Sequence, residues 1–227
     1  MSYTAHTETR DGLTLSIVAD DDARDPRAEW DNLAVMVCDH GRYNLGDEDG
    51  HRKARAAIRA SKDYRENWED PYGHKDGLDF EYGPDLFKAI QRCSDIVWLP
   101  LYLYDHSGIT MRTTRFSCPW DSGQVGFAFI TRNAILDNWG GKVLTAKLRE
   151  KAEAAIVGEV ETYDQFLRGE VYGYVIGDEE DDHIESCWGF YGDEYALEEG
   201  KAAFEALLEE RAKDAAFLDG LDIPAVS

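Results

Sequence analysis

Basic residues are scarce in this chain. Its 24 Lys and Arg stand against 46 Asp and Glu, a formal net charge of −22 over 227 residues. Binding to a nucleic-acid backbone needs a basic face that displaces counterions, so this balance opposes it, and no direct nucleic-acid contact is expected. Cysteine is sparse too. Cys38, Cys93, Cys118 and Cys187 are widely spaced with no CxxC pair, which argues against a zinc ribbon and a disulfide scaffold and predicts buried, reduced thiols. Long apolar runs are missing: no stretch reaches the ~18 residues of a membrane span. The start MSYTAHTETRDG has neither the basic opening nor the apolar run of a signal peptide, so no membrane contact and a cytoplasmic location are expected. No internal repeat is visible. The length fits one domain, residues 1–227, with a substantial core.

What is abundant is acid. Its 26 Asp outnumber 9 Lys almost threefold. Three readings compete: a solubility or high-salt device, mimicry of DNA charge toward a basic groove, and drift. Much of it is clustered, at Asp20 to Asp22, Asp47-Glu48-Asp49 and Asp178-Glu179-Glu180-Asp181-Asp182. These runs read as loops, and the last two are the candidate partner-binding acids. The one basic cluster, His51 to Lys62 with Arg52, Lys53, Arg55 and Arg59, reads as a solvated helix face.

Hydrophobic periodicity gives an outline. Leu13 to Val18 alternates as a half-buried strand, and Leu33 to Cys38 reads as a buried strand able to pair with it across the Asp20 to Asp31 loop. Gly50 to Ser61 is weakly helical, and residues 62–82 read as an irregular excursion. Pro84 to Cys93 is a short amphipathic helix. Asp95 to Tyr104 is the strongest strand signal, with Pro100 requiring an edge or a bulge. Gln124 to Thr131 is a further strand. Thr145 to Arg168 repeats apolar residues at three and four and stops at Gly169, the clearest helix. Glu170 to Ile176 and Ile184 to Tyr191 flank an acidic turn as a hairpin. Residues 193–218 form a C-terminal helix with a break at Gly200. The expected fold class is α+β: a mixed, mainly antiparallel sheet of about five or six strands, with a long packed helix and a C-terminal helix.

Four patches concentrate Trp, Cys, His, Asp and Gly: WDNLAVMVCDHGRYNLGDEDG from Trp30, LPLYLYDHSGITM from Leu99, FSCPWDSGQVGFAF from Phe116 and SCWGFYGDEY from Ser186. Asp39-His40 and Asp105-His106 each follow a predicted strand. Two strand ends in one sheet can gather carboxylates and imidazoles for acid–base work, and Asp47 and Asp121 would make an oxygen-rich divalent-metal site. The competing reading has them cap loops through Asx-type turns. Cys118 is a candidate nucleophile with His106 or His40 as base, but the adjacent Asp121 would raise its pKa. Ser107 and Ser122 precede glycine without a GxSxG elbow. Trp120, Trp188, Tyr104 and Phe190 are expected in the core, with a small-ligand pocket lined by the same groups as the alternative.

The stretches WDNL, MVCDHGRYNLGDE, LPLYLYDHSGITM, FSCPWDSGQVGF, EVETYDQFLRGEVYGY and SCWGFYGDEY resemble those of a family of uncharacterised proteins of phages and mobile elements, over roughly half of the chain. The resemblance implies an accessory role in mobile DNA and assigns no residue. The leading expectation is an accessory, anti-defence protein that binds and inhibits a basic, nucleic-acid-handling host protein, with DNA mimicry as one route, without a cofactor. The alternative is an enzyme or a protein for a small ligand or divalent metal, with its site at Asp39, His40, Asp105, His106, Cys118 and Asp121.

Overall fold

The computed structural model describes residues 3–67 and 83–219. In chain order the elements are β1 Thr4–Arg10, β2 Leu13–Ala19, α1 Pro26–Glu29, β3 Val35–Cys38, α2 Gly50–Ala60, α3 Lys62–Asn67, α4 Gly83–Ile90 and β4 Ile96–Asp105. They continue with β5 Ile109–Arg112, β6 Ser122–Thr131, α5 Arg132–Trp139, α6 Ala146–Leu167, β7 Val171–Gly177, β8 Glu185–Tyr191 and α7 Asp193–Asp219. The class is α+β. The strands form two antiparallel sheets of four, in orders β1-β2-β7-β8 and β3-β6-β4-β5, rather than one sheet of five or six. The chain correspondingly divides into two compact units, Met1–Arg24 with Gly169–Ser227, and Asp25–Arg168. No described helix is long and apolar enough to cross a membrane.

In the first unit, Asp11 and Gly12 take positive φ of 51° and 81°. They close a tight hairpin between β1 and β2, as an Asp-Gly pair does when its twist matches the strands. β2 then pairs with β7, not with β3 as expected, because its alternation suits a sheet with one packed face. Leu13, Leu15 and Ile17 pack with Tyr174, Ile176 and the α7 residues Ala196 and Phe204. Gly200 does not break α7. A Cβ there would lie 3.0–3.1 Å from Tyr174, Ile17 and Leu15, so its bare backbone sets how closely the helix sits on the sheet. The last turns, Glu209 to Leu218, are exposed all round.

In the second unit the antiparallel sheet is covered on both faces, which is why β3, β4 and β6 read as nearly continuous apolar runs. Met36, Val97, Leu101, Ala128 and Ile130 face Ala152, Ile156, Val160 and Tyr163 of α6. Val37, Ile96, Phe127 and Phe129 face Ala54 and Ile58 of α2 and Leu86 and Ile90 of α4. Pro100 meets both conditions set for it. β5 pairs with β4 only from Tyr102 onward, and a bulge in β6 at Val125 follows Leu101, so the ladder needs no N–H from the proline. Thr145 caps α6 by accepting from Leu148 N–H at 3.3 Å, and Gly169 leaves the helix at φ 69°. Of the excursion expected over 62–82, the first six residues are the helix α3, and 68–82 lie outside the described residues.

Candidate functional site

β3 and β4 both flank β6 and run antiparallel to it, so their C-terminal ends leave the sheet at the same end, where β6 begins. Asp39-His40, Asp105-His106 and the Cys118 to Asp121 turn therefore lie at one end of the second unit. The N–H of Asp105 donates to the carbonyl of Asp121 at 2.8 Å, and that of Asp39 to Val125 at 2.7 Å.

The side chains split into separate pairs. Asp39 contacts His51 Nε2 at 3.0 Å, away from His40. His40 Nδ1 accepts from the backbone N–H groups of Arg42 and Tyr43, each at 3.3 Å, and its ring stacks on Tyr43 at 4.9 Å. Asp105 is ion-paired with Arg42 and accepts from Tyr43 Oη at 3.2 Å. His106 Nδ1 lies 3.4 Å from Asp121, and Cys118 Sγ donates to the same carboxylate at 3.7 Å.

This arrangement favours structure over catalysis. His40 spends its acceptor nitrogen on its own turn. The Cys118 thiol points its proton at an acid, not at an imidazole base, so no cysteine–histidine dyad forms. Among the described residues no three His, Cys, Asp or Glu side chains come close enough to hold a metal ion, so the divalent-metal alternative finds no ligand set there. Of the thiols, Cys93 is buried and Cys187 is exposed, against the expectation that each would be buried. Burial, reinforced by the Asp47 and Asp39 charges, pushes the Cys38 thiol up to about 12.

The acidic candidates differ among themselves. Asp47 is not a surface acid: its side chain is only 10% exposed and contacts Arg27 Nη2 at 2.7 Å. Arg27, 2% exposed, also donates to Glu159 at 2.8 Å and to the carbonyl of Ala34 at 2.7 Å. Glu159 in turn accepts from the N–H groups of Leu33 and Ala34 at 2.9 and 3.0 Å. This internal knot ties α1, β3 and α6 together. Burial raises the Asp47 carboxyl above its ordinary range, in part offset by Arg27. Asp49 pairs with Arg52 and Lys53, while Glu48 is exposed.

In the β7–β8 turn, Asp178 accepts from the N–H groups of Glu180 and Asp181, both at 2.9 Å. It also pairs with Arg211 at 2.5 Å. Arg211 and those N–H groups hold its carboxyl down at about 2. Glu179, Glu180, Asp181 and Asp182 are exposed.

This end of the sheet also carries a cluster of arginines and aromatic rings that strand periodicity does not announce. Register places Tyr102 and Tyr104 of β4 on one face with Arg112 of β5 and Ser122 and Gln124 of β6. Arg112 Cζ sits 3.7 Å from the centre of the Phe116 ring. Phe116 stacks on Tyr104 at 5.5 Å, and Tyr104 on His106 at 6.1 Å. Arg115 Nε donates to Tyr102 Oη at 3.2 Å. Trp120, expected in the core, is 92% exposed, and Trp188 is 45% exposed. The signal was present in MRTTRF, residues 111–116, where two arginines precede an aromatic a few residues beyond the tyrosine-rich strand.

Comparison with known proteins finds no matching family model, no matching curated protein and no matching solved structure.

Proposed function

We propose that this chain is an acidic interaction protein that binds a basic, nucleic-acid-handling protein and inhibits it by occupying a groove meant for phosphates. The observation that carries the reading is where the charge lies. Met1–Arg24 with Gly169–Ser227 holds 22 acidic and 5 basic residues, a net −17, whereas Asp25–Arg168 holds 24 and 19, a net −5. Five cations cannot pair one-to-one with 22 carboxylates, so most of the first unit's acid finds no cation within the unit. Glu179 to Asp182 on the hairpin and Glu194, Glu198, Glu199, Glu205, Glu209 and Glu210 along α7 are exposed. A field of this sign steers a basic groove toward the unit and speeds encounter.

The test is affinity capture from the host cell at physiological salt, with mass spectrometry of what is retained. The expected result is a basic nucleic-acid-binding protein in stoichiometric amount, released by competing duplex DNA. Glu179→Gln, Glu180→Gln and Asp182→Asn combined with Glu198→Gln and Glu199→Gln should weaken that capture severalfold. Asp47 and Asp178 stay untouched because both hold the fold. Capture of no basic protein, or equal capture by the neutralised variant, sinks the reading.

A further inference from the structure

The geometry points to the face of the β1-β2-β7-β8 sheet opposite α7 as the surface that receives the basic partner. The inference rests on the interaction reading above and adds to it a face, a central contact and a spacing for the partner's charges. Alternation in this unit runs against the usual order. Leu13, Leu15 and Ile17 pack toward α7, and register puts His6, Glu8 and Arg10 of β1 on that same side. The other face carries Thr7 beside Ser16 and Thr9 beside Thr14, Val18 beside Gly173 and Ser16 beside Val175, and Val175 beside Ser186. None of these side chains is charged, in a unit of net −17, although solvated surfaces ordinarily intersperse charges.

Threonine on a free strand face is ordinary, since β-branched residues suit strands. The centre of the face is not. Val18 and Val175 are half-buried yet lie outside all three core clusters. Beside them a bulge sets Trp188 and Gly189 together opposite Gly173. A Cβ on Gly173 would lie 2.4 Å from the indole, so the bare backbone seats that ring, which is still 45% exposed. Interfaces share this anatomy: a charge-poor centre with an aromatic anchor, inside a charged rim. The rim here is acid at both ends of the strands. Asp11 and Glu179 to Asp182 stand exposed at one end, and Asp20, Asp21 and Asp22 stand against Arg24 at the other. β2 and β7 are seven residues each, which separates the two ends by about 20 Å. A second copy of this chain would bring like charge against both rims. A protein surface with two cationic clusters about 20 Å apart, flanking an apolar strip, meets opposite charge at each.

Fluorescence anisotropy tests this with a defined probe, a labelled peptide carrying two arginines at each end of six alternating valines and threonines, titrated with the full-length protein at 50 and 150 mM salt. Binding is expected, weaker at the higher salt, and absent for the same peptide with glutamine in place of arginine. Trp188→Ala should weaken it at least about fivefold, the least that an anchor residue contributes. Val175→Arg, which sets the probe's own charge at the centre of the face, should weaken it further. Glu179→Gln with Glu180→Gln and Asp182→Asn should cost severalfold, whereas Glu198→Gln with Glu199→Gln, on the α7 side, should change binding less than about twofold at 150 mM salt, where screening confines each charge to its own face. Unchanged thermal midpoints certify that the variants fold. No binding at 50 mM salt overturns the inference, as does binding indifferent to both Trp188→Ala and Val175→Arg, or equal loss from the two sets of acids. The capture experiment separates this failure from that of the interaction reading: a basic protein still retained by Trp188→Ala and Val175→Arg keeps the reading and removes this face from it. A dimer in sedimentation that Val175→Arg dissociates assigns the face to a second copy and equally overturns the inference.

Discussion

The two units use the same carboxylates to opposite ends. In Asp25–Arg168 an acid typically meets a cation: Arg27 is buried between Asp47 and Glu159, Arg42 holds Asp105, and Lys53 and Arg52 hold Asp49. In the other unit acids outnumber cations by more than four to one, and pairs such as Asp178 with Arg211, which braces a turn, and Glu205 with Arg10 lie at the surface. The sheets differ in the same sense. One is sandwiched between helical layers and built from continuous apolar strands; within its unit the other is packed by α7 on the face of Leu13, Leu15 and Ile17 and built from alternating ones. Net charge is therefore a poor guide to any single surface of this protein. A carboxylate's meaning is set by whether burial has forced it to find a partner.

The sharpest way to break this contrast is Arg27→Ala. Removing the cation leaves two carboxylates buried without it, and denaturant unfolding should show a loss of about 3–5 kcal/mol. Arg10→Ala, which removes the exposed partner of Glu205, should leave the midpoint where it was. Equal effects would erase the distinction between internal and surface charge.

Glycines in the two long helices should respond with opposite signs. Gly200→Leu drives a side chain into the α7 contact with Tyr174 and Leu15 and should cost about 1–3 kcal/mol. Gly158 of α6 has nothing within 4 Å of its missing Cβ, so Gly158→Ala should stabilise by about 0.5–1 kcal/mol through helix propensity. A loss there would mean that the Gly158 side of α6 is covered rather than open.

A smaller effect is read through pH. Asp178 sits near 2 in the fold against an ordinary 3.8. Its contribution is therefore fully present above about pH 3.8 and is lost as the pH falls toward 2. Asp178→Asn should flatten that part of the acid-unfolding curve, and a curve of unchanged shape would mean that Asp178 adds nothing to acid stability. Smallest of all is a difference in labelling. In native protein at pH 8, Cys187 should react with iodoacetamide well before Cys38, whose thiol is held near 12. Mass spectrometry of timed samples gives the order directly.

Periodicity carried the elements whose burial is set by a repeating pattern. α6 repeats at three and four residues and is capped by Thr145, and β2 and the β7–β8 hairpin alternate, so their types followed from local chemistry. β1 went unread despite the Asp-Gly turn that makes it a hairpin. Its Thr, His and Glu residues bury little, and an edge strand draws its support from a neighbour. β5 carries no strand signal of its own for the same reason: four residues become a strand only where Tyr102 to Asp105 offer them a ladder.

The site followed the same rule. That Asp39-His40 and Asp105-His106 would leave one end of one sheet was legible, since both follow apolar strands. Which side chains would meet was not. His40 turns to its own loop, Asp39 to His51, and Asp105 to Arg42 and Tyr43, because each donor took the nearest acceptor the fold supplied. Trp120 shows the limit most plainly. Composition assigns a tryptophan to the core, yet residence there depends on a packed neighbour, and the turn that carries it faces none. The sequence by itself determined the α+β class, the long helices and the acidity, all of which are sums or short-range periodicities. Tertiary structure alone decided the division into two sheets, the burial of Asp47 beside Arg27 and the exposure of Trp120, because each depends on contacts between residues far apart in the chain.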